Sequence, residues 1–278
     1  GVPESPIFPK DATDRNRTSP FAFTGNKFEF RMLGSQANVA DANIVLNTIV
    51  ADAFSQFADE LDGKEDLEKA ANAIVARELK AHRRIIFNED GYGPEWEPEA
   101  ERRGLLNNKT TADAVPVCFE EKNIDVFVRQ GVYTREEAIA RADIQLENYT
   151  KTINIEALTM LEMVKRDIVP SVSDFVAELC SNVAAKKAVC EEIPCSGEKE
   201  VIMQLATLND EVVALSNKLE GILKGIKMDE VLESSQAMAH KVIPVMEEIR
   251  KKVDKMETMT SSDYWPYPTY FDLLYSVN

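Results

Sequence analysis

Positions 27 to 31 read Lys-Phe-Glu-Phe-Arg, followed by Met32 and preceded ten positions earlier by Arg17. In an extended strand, side chains point to opposite faces with a period of two. Phe28, Phe30 and Met32 then share one face, and Lys27, Glu29 and Arg31 share the other. The carboxylate lies roughly 6 to 7 Å along the strand from each cation. A glutamate on such a strand can offer oxygen to a hard cation such as Mg²⁺ or Mn²⁺. Cations on either side of it would repel that metal unless each had an anion of its own, a phosphate or a substrate carboxylate. Arg17 and Arg31 suit that task, because guanidinium pairs with both groups in a bidentate manner. The plainer reading is an amphipathic strand whose polar face pairs with its neighbours. On spacing alone the plainer reading is the better account, since alternating charged strands are common.

Other residue types offer less chemistry. The histidines, His82 and His240, stand far apart with no metal-ligand spacing around either. His82 lies among Lys80, Arg83 and Arg84, as on an exposed helix face. Cys118, Cys180, Cys190 and Cys195 form no Cys-x-x-Cys pair, and in a chain of this length they read as buried, reduced thiols of a cytoplasmic protein. The run Glu95, Glu97, Glu99, Glu101 is most simply a solvated acidic face. Met238, Met246, Met256 and Met259 fall at helical spacing, which points to core packing.

The elements that must position these groups are mostly helical. The chain has 278 residues with 44% apolar side chains, enough to bury a core. With 48 acidic and 32 basic residues the net charge is −16, which argues against nucleic acid and anionic membrane as partners. No apolar run has the length of a membrane span, and the first residues lack the features of a signal peptide. The absence of an initial Met suggests a piece of a longer protein.

After the strand region the period changes from two to 3.6. Val39, Ala42, Leu46, Ile49, Ala53, Phe57 and Leu61 make the apolar stripe of a first helix that Asp62-Gly63 ends. A second helix is predicted from about Lys64 to Phe87, and a short one over "PEAERR" stops at Gly104. Thr134 and Glu137 form a capping box that opens the longest helical pattern, ending at Pro170. Another helix spans roughly Ser173 to Val189.

Val201, Leu205, Leu208, Val212, Leu215, Leu219, Ile222 and Ile226 then step by four and three, and Val231, Ser235, Met238, Val242, Val245 and Ile249 do the same. About three and a half heptads of this kind predict an antiparallel coiled-coil-like hairpin over about 198–257, turning near Lys227-Met228 and kinked at Pro244. The closing stretch 263–278 is dense in aromatic residues and contains Pro266 and Pro268. It is expected to pack on the protein's own helices or on a neighbouring subunit of a homo-oligomer.

The wording "NRTSPF" followed by "KFEFR" resembles the paired signature of glutamine synthetases. "GSQANVADANIVLNTIVADAFSQFADELDG" is similar to that family's next helix. "GYGPEWEPEAERRGL", the helical extension and "YWPYPTYFDLL" resemble its type III branch. The resemblance implies the C-terminal part of an enzyme that joins glutamate and ammonia through γ-glutamyl phosphate, using ATP and Mg²⁺ or Mn²⁺. Carried over by position, Arg17 contacts ATP phosphate and also the glutamate or its phosphorylated form. Lys27 is a nucleotide contact, Glu29 a metal ligand, and Arg31 the grip on substrate glutamate. One departure stands out: where shorter members have a second arginine five residues after the first, this chain has Ala22.

The expected fold is mainly α, a helical bundle with the long hairpin plus one or two N-terminal strands left from a catalytic sheet. Residues 1–35 would end a catalytic domain, 36–104 carry the following helices, 105–262 the extension and 263–278 the tail. The alternative is a non-catalytic helical scaffold or oligomerisation module.

Overall fold

The computed structural model describes residues 21–23, 27–31, 34, 37–87 and 90–275. The chain divides into two compact units, Gly1–Lys109 with Glu120–Ala138, and Thr110–Phe119 with Ile139–Asn278. The described residues are mainly helical, with one two-stranded sheet.

In the first unit, β1 (Phe21–Phe23) pairs antiparallel with β2 (Phe28–Phe30). Helix α1 (Val39–Leu61) is capped by the Asn38 side chain, which accepts from the Ala40 N–H at 2.9 Å. It stops at the predicted Asp62-Gly63, where Gly63 has φ +70°, a conformation that suits a residue without Cβ. Helix α2 (Leu67–Ala81) begins at Asp66 and is followed by a 3₁₀ turn, Arg83–Ile85. Helix α3 (Trp96–Arg102) leads into Gly104 at φ +73°. Helix α4 (Thr111–Ala114) belongs to the second unit and α5 (Glu121–Arg129) to the first. The sequence reading had assigned no elements there.

The apolar stripe expected on α1 does form one side of a helix, but none of its members is buried. The side chains of α1 that are buried are Thr48 and Asp52. Thr48 satisfies its hydroxyl on the Ile44 carbonyl at 2.6 Å. Asp52 accepts from Arg129 Nε at 2.8 Å and Nη2 at 2.9 Å, from Gln130 Nε2 at 2.9 Å and from Gln56 Nε2 at 2.8 Å. This cluster joins α1 to α5 across 77 positions of sequence. Its donors, Arg129 first and then Gln130, pull the Asp52 carboxyl down to about 2.

The second unit is a helical bundle. Thr134 and Glu137 close the predicted capping box: the Thr134 N–H donates to Glu137 Oε2 at 2.8 Å, and the Glu137 N–H donates to Thr134 Oγ1 at 3.2 Å. Helix α6 (Arg135–Met163) follows from it. The sequence reading ended this helix at Pro170, whereas the structure carries it through. A π turn over Val164–Ile168, closed by the Val169 N–H on the Val164 carbonyl, leads directly into α7 (Val169–Val189). Proline lacks an N–H and crowds the carbonyl four residues back. Widening the preceding turn accommodates the ring without ending the helix.

The same device recurs in the hairpin. Helix α8 (Ser196–Lys224) turns over 225–230 into α9 (Val231–Ala237), a π turn over Met238–Val242, and α10 (Ile243–Glu257), which carries Pro244 in its first turn. Leu205, Leu208, Val212 and Leu219 of α8 are buried, with Met238, Val242, Val245 and Ile249 from the returning arm in the same core. Val164 and Ile168 of the π turn and Val172 of α7 belong to the same core. Trp265 and Tyr267 of the tail pack on this core, and the Tyr267 hydroxyl donates to Asp167 Oδ2 at 2.7 Å. The last helix, α11 (Tyr270–Tyr275), leaves Leu273, Leu274 and Tyr275 exposed.

The cysteine expectation needs correction. All four are free, but only Cys195 is buried, while Cys118, Cys180 and Cys190 are exposed. They sit at element ends or on outward faces, where the core does not reach them. Among the described residues no helix is long and apolar enough to cross a membrane.

Two outcomes follow from this packing. Leu219→Ala, at a fully buried position, should cost about 2–5 kcal/mol by loss of transfer energy and a residual cavity, read as a lower thermal midpoint. Because the folded pKa of Asp52 is depressed to about 2 from an ordinary value near 4, its contribution is complete above that ordinary value. It is lost as pH falls towards the folded value. Asp52→Asn should therefore melt below the parent at neutral pH and converge with it near pH 2 in thermal scans.

Candidate functional site

The strand pairing decides which of the candidate residues meet. Phe21 lies opposite Phe30, Ala22 opposite Glu29, and Phe23 opposite Phe28. Phe21 and Phe28 stack with ring centroids 5.0 Å apart, which defines the aromatic face. The opposite face carries Lys27, Glu29 and Arg31, brought together as the period of two requires. Arg17 lies outside the described residues.

Within that face Glu29 is held from both sides. Arg31 donates to Glu29 Oε2 from Nη2 at 2.8 Å and from Nε at 3.2 Å. Lys27 Nζ stands 3.3 Å from Oε1. These two, Arg31 more than Lys27, hold the carboxyl below its usual range, so Glu29 is an anion at neutral pH. The group is about one-third exposed, which leaves room for a ligand to approach.

Ala22 is buried and directly across from Glu29. Side chains directly opposite in an antiparallel pair have Cβ atoms about 4.5 to 5.5 Å apart. An arginine in its place would therefore stand against the glutamate. In this chain Arg31 and Lys27 supply the positive charge on that face.

A single carboxylate with both oxygens turned to cations does not hold a divalent ion unaided. Among the described residues no group of three His, Cys, Asp or Glu side chains gathers in a way that would do so. The described residues of this chain therefore do not make a metal centre by themselves.

The acidic run after the Gly-rich loop is tied up internally. Glu97 pairs with Lys109 at 2.7 Å. Glu99 accepts from Arg102 and Arg103 and is pulled down to about 2, Arg102 first. Arg103 also packs its guanidinium 5.5 Å from the Phe87 ring centroid and 5.6 Å from that of Trp96, and donates to the carbonyls of Arg84 at 3.1 Å and Ile86 at 2.9 Å. The stretch "GYGPEWEPEAERRGL" thus builds a knot around one arginine. Its sequence signal was the two adjacent arginines after an aromatic-rich loop, but the carbonyl partners lie 17 and 19 positions away.

The histidines take surface roles. His82 pairs with Glu78 at 3.1 Å, and His240, on the π turn, with Asp113 at 2.9 Å. The Asp113 link spans 127 positions and had no local signal.

Comparison with known proteins finds relatives for a chain in which this charged strand face is followed by a helical extension. Residues 70–187 match the glutamine synthetase C-terminal domain. Across nearly its whole length the chain is similar to a glutamine synthetase of Butyrivibrio fibrisolvens, at 37% identity over 97% of this chain and 39% of the relative. It is 34% identical to the type-3 glutamine synthetase of Dictyostelium discoideum, over 99% of this chain and 38% of the relative. A glutamine synthetase of Bacteroides fragilis is 31% identical over 99% of this chain and 39% of its own length. The chain therefore spans about two fifths of the length of the curated relatives it matches.

The ion cluster has a direct check. Arg31→Gln should let the Glu29 carboxyl rise towards its ordinary range, and Lys27→Gln should do so less, because Arg31 is the larger cause of the depression. A carboxyl-carbon NMR titration of the two variants measures the order. An unshifted Glu29 in Arg31→Gln would show that the pair does not set its charge.

Proposed function

We propose that this chain is the C-terminal part of an ATP-dependent glutamate–ammonia ligase that makes glutamine by way of γ-glutamyl phosphate. The observation that carries this reading is a glutamate kept ionised between Arg31 and Lys27 on one strand face, in a chain similar to glutamine synthetases throughout.

Each side chain then has a role. Arg31 aligns the substrate glutamate through bidentate contact with a carboxylate. Lys27 and Arg17 meet the nucleotide phosphates, where fixed cations offset the charge that spreads over the transferred group. Glu29 contributes one oxygen ligand towards Mg²⁺ or Mn²⁺, the remaining ligands coming from the part of the polypeptide that this chain does not span. The bound metal would supply charge neutralisation at the phosphates. The parent enzyme is proposed to be a cytoplasmic homo-oligomer.

For the second unit a scaffold reading is favoured by a specific observation. Its main core is apolar, and among its described residues no group of three His, Cys, Asp or Glu side chains is placed to hold a metal ion. The two readings divide the chain: chemistry in the hairpin of the first unit, architecture in the bundle.

The 278-residue chain alone is expected to form no glutamine, and γ-glutamyl transfer by it would refute the reading. In the longer enzyme, Glu29→Ala should lower kcat by several orders of magnitude with the melting temperature kept, while Arg31→Ala should mainly raise the KM for glutamate. Near-normal steady-state kinetics in both variants would overturn the assigned roles.

A further inference from the structure

Helix α1 exposes more apolar surface than a free-standing domain would. Its buried side chains are the polar Thr48 and Asp52, at 4% and 7% exposure, while Val45, Ile49, Val50 and Phe54 stand 46%, 49%, 48% and 67% exposed. Val45 and Ile49 are one helical turn apart, as are Val50 and Phe54, so they form neighbouring rows along one broad side. Ile44, Leu46, Ala53 and Phe57 are half-buried, so α1 is apolar on its exposed side as well, where an amphipathic surface helix is polar.

The charge pattern narrows what covers this face. From Ala42 to Ala58 the sequence holds a single charged residue, Asp52, in a chain with 29% charged side chains. That one charge is neutralised inwards by Arg129. Helices that lie on membrane surfaces carry a strongly charged face rich in Lys and Arg, and nucleic acid demands basic residues. This helix has neither, so its complement is an apolar protein surface.

In the β1–β2 hairpin of the same unit, Phe28 and Phe30 are likewise 60% and 48% exposed. Among the described residues of the first unit, the only buried apolar side chains are Ala22, Ile74, Ala100 and Ile124. Contiguous apolar patches on soluble proteins mark interaction sites. The relatives carry about three fifths of their length outside the region matched by this chain.

We infer that the outward face of α1, with the aromatic face of the β1–β2 hairpin, is the docking surface for that remaining part of the same polypeptide. The inference rests on the reading of the chain as part of a longer glutamine synthetase. The Asp52–Arg129 cluster then acts as the anchor that holds α1 on α5 with its apolar side turned towards the incoming domain.

Hydroxyl-radical footprinting with peptide-level mass spectrometry, on the 278-residue chain and on the longer enzyme, tests it directly. Phe54 and Phe28 should be modified at least about fivefold more slowly in the longer enzyme, as expected when an aromatic side chain moves from solvent to a buried contact. Phe54→Asp should leave the melting temperature of the 278-residue chain unchanged and lower that of the longer enzyme. Equal modification of Phe54 in both proteins overturns the inference, even if the longer enzyme makes glutamine. Protection already present in the 278-residue chain also overturns it. Light scattering then tells the occupant: twice the monomer mass means a second copy, and monomer mass means the chain's own helical unit. If the longer protein makes no glutamine yet protects Phe54, the docking surface stands and the functional reading falls.

Discussion

Leu205, Leu208, Val212 and Leu219 line one side of α8, and the helical unit is assembled against that stripe. The stripe demands that both flanking helices keep their apolar sides facing it over their full length. Each flanking helix contains a proline, Pro170 or Pro244, that would otherwise end it or turn its face away. Both solve the problem in the same way. A five-residue π turn ends two positions before the proline, and its first and last residues, Val164 with Ile168 and Met238 with Val242, are buried. Closure runs from Val169 to Val164 in one and from Ile243 to Met238 in the other. The extra residue in each turn shifts the helical phase so that the side chains on either side of the proline still point inwards.

Such a solution could not be read from the residues alone. A proline in a helical pattern ordinarily marks an end or a kink, and the sequence reading took Pro170 as an end and Pro244 as a kink. Whether the helix breaks or widens depends on the packing gained by continuing, and that gain comes from α8, more than thirty positions further on from Pro170. Local rules succeeded where the determinants were local. The box between Thr134 and Glu137, the stop at Asp62-Gly63 and the heptad stripes of α8 and α9–α10 all lie within a few residues of what they control. Residues whose partners are distant escaped. Asp52 has no local signal for its role, because Arg129 is 77 positions away. The cysteines were read as buried from their type, although three of them lie on outward positions of the elements that carry them.

The candidate site was legible for a related reason. A strand with period two commits positions 27, 29 and 31 to one face whatever surrounds it. The partner strand was less legible: only the register shows that Ala22 stands across from Glu29. An arginine at that position would compete with Arg31 and Lys27 for the same carboxylate. With alanine there, the two cations described beside Glu29, Lys27 and Arg31, both lie on its own strand.

The contrast between the two units bears on how such a face can work. Catalytic and binding groups have to be held to within about 0.5 Å of their productive geometry. Two strands of three residues each are not stiff enough for this, since an isolated two-stranded hairpin is marginally stable in water. The bundle has the packing that rigidity requires, around an apolar core. The hairpin has the charged face and, among the described residues, Ala22 as its one buried apolar side chain. In the proposed enzyme, precision at Glu29 and Arg31 would come from burial of Phe21, Phe28 and Phe30, the face opposite the charges, which stands exposed in this chain. A strand whose back is packed and whose front is charged can fix three ionic groups with the accuracy of a core, which is how an amphipathic strand converts apolar burial into the placement of polar atoms.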